Sequence, residues 1–295
     1  KIPGMLVDLV VVDPDQTQTY YTAHSPAYAG ELRVPLAAIE PLPFDARKVI
    51  ARRAALELYP RAVCNLGSGI STGLARVAAE EGVREQVVLT NEQGLIGGAP
   101  AGEREAGASR NYWAMIDQPY QFDFYDGGGL DRAFLAFAQV DRHCNVNVSR
   151  FGGRIVGPGG FINISQNART VVFSGTFTAG GVQLGFADAR LRIEREGRER
   201  KFVSDVEQVT YSGRYAIERG QRVLYVTERA VFRATADGLE LVEIAPGIDL
   251  ERDVIGQMGF RPRVAQDART MDARLFDPAP MGLERDVRAL APVER

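Results

Sequence analysis

The sequence predicts an α/β fold, an open and mostly parallel sheet with flanking helices and an added antiparallel β section. Three observations carry that expectation. Between residues 62 and 98 a strand, a glycine-rich turn, an amphipathic helix, a second strand and a second glycine-rich loop follow one another, the order of a βαβ unit. Further along, apolar runs of strand length keep alternating with helical patterns. Finally, 295 residues with 45 % hydrophobic and 25 % charged side chains give an ordinary globular balance, which excludes a disordered or fibrous chain.

The elements follow in order. Residues 5–12 (MLVDLVVV) have the length and polarity of a buried strand. Residues 13–42, punctuated by Pro14, Pro26, Pro35 and Pro41, lack periodicity and read as a linker. Asp45 can cap a helix over residues 46–58, with Ala46, Val49, Ile50 and Ala54 on one face and Pro60 as its stop. A strand over 62–66, the turn Gly67-Ser68-Gly69, a helix over 72–81 with Leu74, Val77 and Ala78 inward, a strand over 87–90 and a loop over 91–98 complete the unit. Residues 130–137 read as a helix by their apolar spacing, and 168–173 as a strand. Residues 182–186, 191–195 and 207–211 predict the antiparallel section, 223–227 and 239–244 two further strands, and 250–258 a helix. From Pro278 the chain is charged and reads as a surface tail.

Composition narrows the function classes. Thirty-five basic against 38 acidic residues leave a net charge of −3, so no nucleic-acid footprint or polybasic membrane patch is visible. No apolar stretch reaches the ~18 residues of a spanning helix, and no secretory signal opens the chain. Cys64 and Cys144 make no disulfide framework and have no zinc-ligand spacing, so a reducing, cytoplasmic setting and no metal are expected. With only His24 and His143, chemistry built on several imidazoles is arithmetically difficult.

Three glycine-rich loops follow apolar strands: Leu66-Gly67-Ser68-Gly69-Ile70-Ser71, Glu92-Gln93-Gly94-Leu95-Ile96-Gly97-Gly98, and Gly157-Pro158-Gly159-Gly160-Phe161. Glycine lets backbone approach a ligand and point N–H groups at an anion, although a tight turn alone also explains each loop. Gly67, Gly69 and Gly73 invite a dinucleotide reading, with Glu92 near the place of a ribose ligand. A ribose carboxylate needs no second glycine loop around it. A nucleophilic carboxylate does, because attack on an acyl carbon creates an oxyanion that fixed donors must hold. The bland alternative for Glu92 is a solvated loop glutamate.

The segment Thr90-Asn91-Glu92-Gln93-Gly94-Leu95-Ile96-Gly97-Gly98 resembles the catalytic-glutamate segment of the family I coenzyme A transferases, and more closely that of the acetate/propionate branch. Other segments match in order: Ile2-Pro3-Gly4, Asn65-Leu66-Gly67, Asp117-Gln118-Pro119, Gln121-Phe122-Asp123-Phe124-Tyr125, Asn145 to Ser149, Gly157 to Ile164, and Glu243 to Gly247. Two departures are His143-Cys144, where the resemblance leads one to expect glycine second, and Ala136, also in place of glycine.

The resemblance implies transfer of CoA between an acyl-CoA and a short-chain carboxylate by a ping-pong route through a glutamyl–CoA thioester on Glu92. By the same carry-over Gly67, Ser68, Gly69, Ile70 and Ser71 line the CoA and oxyanion region, and Gly157, Gly159 and Gly160 form the opposing loop. CoA is then a substrate, and no permanently bound cofactor is expected. Residues 1–42 correspond to the end of a first half plus a linker, 43–277 to the glutamate-bearing half, and 278–295 to the tail. A companion first-half chain, cleaved or separately encoded, and an oligomer are therefore expected as partners. A non-catalytic CoA- or sugar-phosphate-binding subunit of the same fold is the competing reading.

Overall fold

A computed structural model describes residues 2–102 and 105–291. Ten strands form one sheet: β1 (Val63–Leu66), β2 (Val88–Thr90), β3 (Leu95–Pro100), β4 (Ser109–Met115), β5 (Arg132–Ala136), β6 (Thr170–Ser174), β7 (Arg222–Val226), β8 (Ala230–Thr235), β9 (Gly238–Ile244) and β10 (Arg263–Thr270). Their spatial order is β10-β9-β8-β7-β6-β5-β1-β2-β3-β4. The five central strands, β7-β6-β5-β1-β2, run parallel, with Asn65 opposite both Thr90 and Ala133 and Val172 opposite both Phe134 and Leu224. Antiparallel strands β3 and β4 extend one side, and β8 and β9 the other.

A short helix, α1 (Pro26–Ala29), precedes the sheet, and longer helices cover both of its faces. Along the central strands successive side chains point to opposite faces, and both faces are apolar because both are covered. Phe134, Val172 and Leu224 thus meet α2 (Ala46–Ala55) and α3 (Gly73–Glu80), through Val49, Ile50, Leu74 and Val77. Their neighbours Ala133, Leu135, Val171, Phe173, Val223 and Tyr225 meet α4 (Gln118–Asp126), α5 (Phe161–Gln166) and α6 (Gly213–Glu218) on the other side. Asp45 caps α2 as expected, accepting from the Arg47 and Lys48 amides at 2.8 and 3.1 Å. The expected antiparallel section exists as a hairpin, Gln183–Ala187 with Arg190–Arg195.

Several expectations are corrected. Residues 130–137 are not helical but contain β5; a strand buried on both faces is continuously apolar, and apolar spacing alone does not separate it from a helix. Residues 91–98 are not an open loop, since β3 begins at Leu95. Residues 5–12 form no strand: Gly4–Leu6 is a single 3₁₀ turn, and Leu9, Val10, Val11 and Val12 are 73–82 % exposed. Residues 207–211 pair only through a single bridge from Tyr211 to Val146. Residues 250–258 are helical but irregular, a π turn over Leu250–Val254 and a 3₁₀ turn over Ile255–Gln257.

The charged tail from Pro278 is no free tail either: Met281, Leu283 and Val287 are buried against the α2–α3 side of the sheet, the last two on α7 (Leu283–Arg288). Its last four positions, 292–295, lie outside the described residues. Among the described residues no helix is long and apolar enough to cross a membrane.

Candidate active site

The chain leaves β1 on one side for β2 and returns on the other side as β5, so the strand order reverses at β1. A crevice opens at the carboxyl ends of the strands at such a reversal. Glu92 stands there, two residues past the end of β2, on the tight turn joining β2 to β3. Asn91 builds that turn. Its amide bonds the Leu95 carbonyl at 3.1 Å, its Oδ1 accepts from the Leu95 amide at 3.2 Å, and its carbonyl accepts from the Gly94 amide at 3.2 Å. Gly94 closes it with φ +103°, and a side chain there would overlap the Ile116 carbonyl oxygen.

Glu92 is half-buried, and among the described residues its carboxylate accepts no hydrogen bond. Burial disfavours the charged form and raises its carboxyl above the ordinary carboxylate range. Glu92 lines a cavity of about 50 Å3 with Gly67, Ser68 and Thr72 from the first glycine loop, Pro100 at the end of β3, and Ala101 and Gly107 between β3 and β4. A larger hollow of about 350 Å3, between Tyr28, Arg76 and Arg110, adjoins it through Pro100 and Ala101.

Gly97 and Gly98 explain how β3 comes back over Glu92. Both have left-handed φ, +77° and +70°, and the β3–β4 register shifts at this point. Residues 100–102 and 105–107 then lie at the crevice, where the Gly107 carbonyl accepts from Asn91 Nδ2 at 3.1 Å. The Gly94 amide is used by the turn, and Gly97 and Gly98 are buried in the ladder against Trp113, Arg110 and Tyr112.

The other glycine loops divide. A Cβ built on Gly160 would overlap Glu92 Oε2 and lie 2.8 Å from Phe122 Cζ, so Gly160, Phe122 and the carboxylate meet at one point. Among the described residues the Ser68 and Gly160 amides have no acceptor, and Ser68 lines the same cavity as Glu92. Gly67 approaches β5 closely: its amide bonds the Phe134 carbonyl at 2.8 Å, and a side chain there would collide with Leu135. Gly69 takes φ +85° near Ala136, Ile70 packs partly against the core, and Ser71 is buried with no partner for its hydroxyl among the described residues. Gly157 and Gly159 turn the chain at φ +91° and +54°, and a side chain at either would enter open space.

Gly73, the third glycine of the dinucleotide pattern, is accounted for by packing, because a Cβ there would reach Leu42 and Ala51 at 3.0 and 3.4 Å. Cys144, in place of an expected glycine, keeps the left-handed backbone at φ +64°. Sequence reasoning missed a buried layer beneath Glu92, in which Asn65, Thr90 and Gln121 all bond the Tyr125 hydroxyl. The available signal was a polar residue near the end of each of two apolar strands, Asn65 and Thr90, and Gln121 and Tyr125 one helical turn apart.

No protein-family model matches the chain. Among curated proteins it is 47 % identical over 283 residues to the acetate CoA-transferase YdiF of Escherichia coli K12, covering 96 % of this chain and 53 % of that one. It is also 47 % identical over 292 residues to the caffeate CoA-transferase of Acetobacterium woodii, covering 96 % of this chain and 56 % of that one. The crystal structure of the YdiF acyl-CoA transferase apoenzyme from Escherichia coli O157:H7 superposes with a TM-score of 0.87 at 47 % identity, over 96 % of this chain and 53 % of that one.

The chain belongs to the family I coenzyme A transferases. It spans about half the length of the curated relatives it matches at this level. A second structure of the same E. coli O157:H7 protein, a thioester complex with CoA, matches at 46 % identity and a TM-score of 0.87, over 96 % of this chain and 52 % of that one. Glutaconate coenzyme A-transferase from Acidaminococcus fermentans, at 19 % identity, shares the fold alone, with a TM-score of 0.61 over 83 % of this chain and 94 % of that one. The CoA-transferase fold and family expected from the Glu92 segment are thereby borne out.

Proposed function

We propose that this chain carries the nucleophilic half of an enzyme that moves CoA between an acyl-CoA and a short-chain carboxylate. The supporting observation is the Glu92 carboxylate itself, partly desolvated and without a hydrogen-bond donor among the described residues, with Gly160 packed against it and Ser68 lining the same cavity. A carboxylate without hydrogen bonds is more nucleophilic than a solvated one, and unspent amides are what a developing oxyanion requires.

In this reading Glu92 attacks the thioester carbonyl carbon. The C–S bond breaks, CoA leaves as thiolate, and a mixed anhydride remains. The thiolate then attacks the glutamyl carbonyl, expels the acyl group as its free carboxylate, and leaves a glutamyl–CoA thioester. An incoming carboxylate runs the same steps backwards. One thioester is exchanged for another, so the transfer is close to isoenergetic. Gly67 and Ser68 on one side and Gly160 on the other bracket the reacting carbon; Gly69, Ile70, Ser71, Gly157 and Gly159 belong to the same two loops and shape the path to it.

Residues 43–277 form the glutamate-bearing half, and a companion polypeptide supplies the remainder of the cleft. That assignment is supported by relatives of about twice this length and by the beta subunit of Escherichia coli acetate CoA-transferase, which is 29 % identical over 237 residues.

The test is intact-mass analysis of the assembled enzyme after exposure to an acyl-CoA. A CoA adduct confined to Glu92, and lost in Glu92→Ala, is expected; reversible binding that survives Glu92→Ala and leaves no adduct would favour the non-catalytic subunit. A panel of carboxylates then reads the acceptor preference.

A further inference from the structure

We propose that Gln121 and Tyr125 are positioning residues for Glu92, joined with Asn65 and Thr90 in a buried relay that fixes the peptide carrying the nucleophile. This rests on the reading of Glu92 as nucleophile given above.

The relay has a definite direction. Thr90 Oγ1 bonds the Cys64 carbonyl at 2.9 Å, an acceptor, so the Thr90 proton points there. The 2.8 Å contact between Thr90 Oγ1 and the Tyr125 hydroxyl is then donated by Tyr125. The phenol oxygen has two lone pairs left, and they accept from Asn65 Nδ2 at 3.0 Å and Gln121 Nε2 at 2.6 Å. Every capacity of the hydroxyl is used. Gln121 Nε2 turns its second hydrogen to the Asn91 carbonyl at 3.3 Å, the peptide oxygen directly before Glu92.

A second route runs through the rings. Tyr125 meets Phe122 edge-to-face at 6.0 Å, and Phe122 abuts the point shared by Gly160 and the Glu92 carboxylate. Burial, foremost, together with the nearby Glu92 charge raises the Tyr125 phenol above its ordinary value, so the relay stays neutral.

The arrangement is costly for stability. Asn65, Gln121 and Tyr125 are wholly buried, yet Asn65 Oδ1 and Gln121 Oε1 have no partner among the described residues. An unpartnered buried acceptor destabilises a fold, and apolar side chains of like shape would avoid it. Both amides instead spend their donors on one hydroxyl and one peptide beneath the nucleophile. Local rules broken in this way mark functional sites.

The experiment compares Tyr125→Phe, Gln121→Leu, Thr90→Val and Thr90→Ser with wild type in the assembled enzyme. It follows glutamyl–CoA formation by quenched-flow mass spectrometry, KM for acyl-CoA, pH profile and melting temperature. Tyr125→Phe, Gln121→Leu and Thr90→Val are expected to slow adduct formation about ten- to a hundredfold with KM unchanged, the loss that misplacing a reacting group by an ångström produces. Their acid limb moves to lower pH as the carboxylate rotates toward water. Thr90→Ser keeps the hydroxyl and is expected to restore the wild-type rate.

Wild-type rates in all variants would overturn the proposal, as would losses that follow melting temperature and vanish on cooling. Absence of an adduct in wild type would instead overturn the reading of Glu92, before any variant is compared.

Discussion

Among the described residues no charged neighbour shifts the Glu92 carboxyl. Burial raises its carboxyl value, so the neutral acid is favoured in the folded protein relative to the unfolded chain. The resulting contribution to stability is complete below the unfolded value of ~4.3 and is lost as pH rises through the folded value. Glu92→Gln is therefore expected to raise the melting temperature at about pH 7 and to leave it unchanged at about pH 3, while adduct formation in wild type rises over the same interval. An equal shift at both pH values would contradict the burial argument. Gly160 supplies a cleaner steric test. Its φ of −78° suits alanine, so Gly160→Ala adds only a methyl group, and that methyl overlaps the carboxylate. Folding is expected to survive and adduct formation to fall by about tenfold or more; an unchanged rate would show that the carboxylate turns elsewhere. At this scale Glu92 was legible because a carboxylate set among glycines has a chemical use. Gln121 and Tyr125 were not, because a buried amide and a phenol on a helix look like packing until their partners arrive from other elements.

Among the elements, the β2–β3 turn and the bend of β3 decide the site. Residues 91–98 read as a loop because glycine is what a loop uses, yet Gly97 and Gly98 lie in a strand whose abrupt bend only left-handed backbone provides. Gly98→Ala combines that backbone with a collision against the Arg110 carbonyl and the Tyr112 amide, so a loss of about 1–3 kcal/mol or more is expected in urea unfolding. A neutral outcome would mean that β3 reaches the crevice without the bend. The same ambiguity of local pattern hid β5. Its Ala133, Phe134 and Leu135 are buried on both faces, so their sequence carries no alternation to distinguish strand from helix.

Across the whole molecule, the reversal of strand order at β1 collects Asn65, Thr90 and Glu92, with Gln121 and Tyr125 of α4, at one end of the sheet. The far end of the chain stabilises the opposite layer. Arg52, wholly buried on α2, donates to the carbonyls of Arg274, Asp277 and Ala279. Glu81 lies 3.7 Å from the same guanidinium and accepts the amides of Met281, Gly282 and Leu283 at 2.9, 2.9 and 3.2 Å, capping α7. Glu81→Ala strips one partner from a buried pair and is expected to cost about 3–5 kcal/mol in urea unfolding, with the rate of adduct formation kept by the folded fraction. A loss below about 1 kcal/mol, the scale of a surface pair, would show that the segment is not held this way.

The amino-acid order by itself determined the α/β class, the capped helix α2, the βαβ unit and the glutamate among glycines, since each depends on residues a few positions apart. It also carried the family, through motifs kept in order along the chain. Only the tertiary structure decided which glycines touch the carboxylate, which merely bend backbone, and what lies beneath Glu92. Those facts depend on contacts between residues such as Glu92 and Gly160, brought together by strand order and buried area, for which no local periodicity exists.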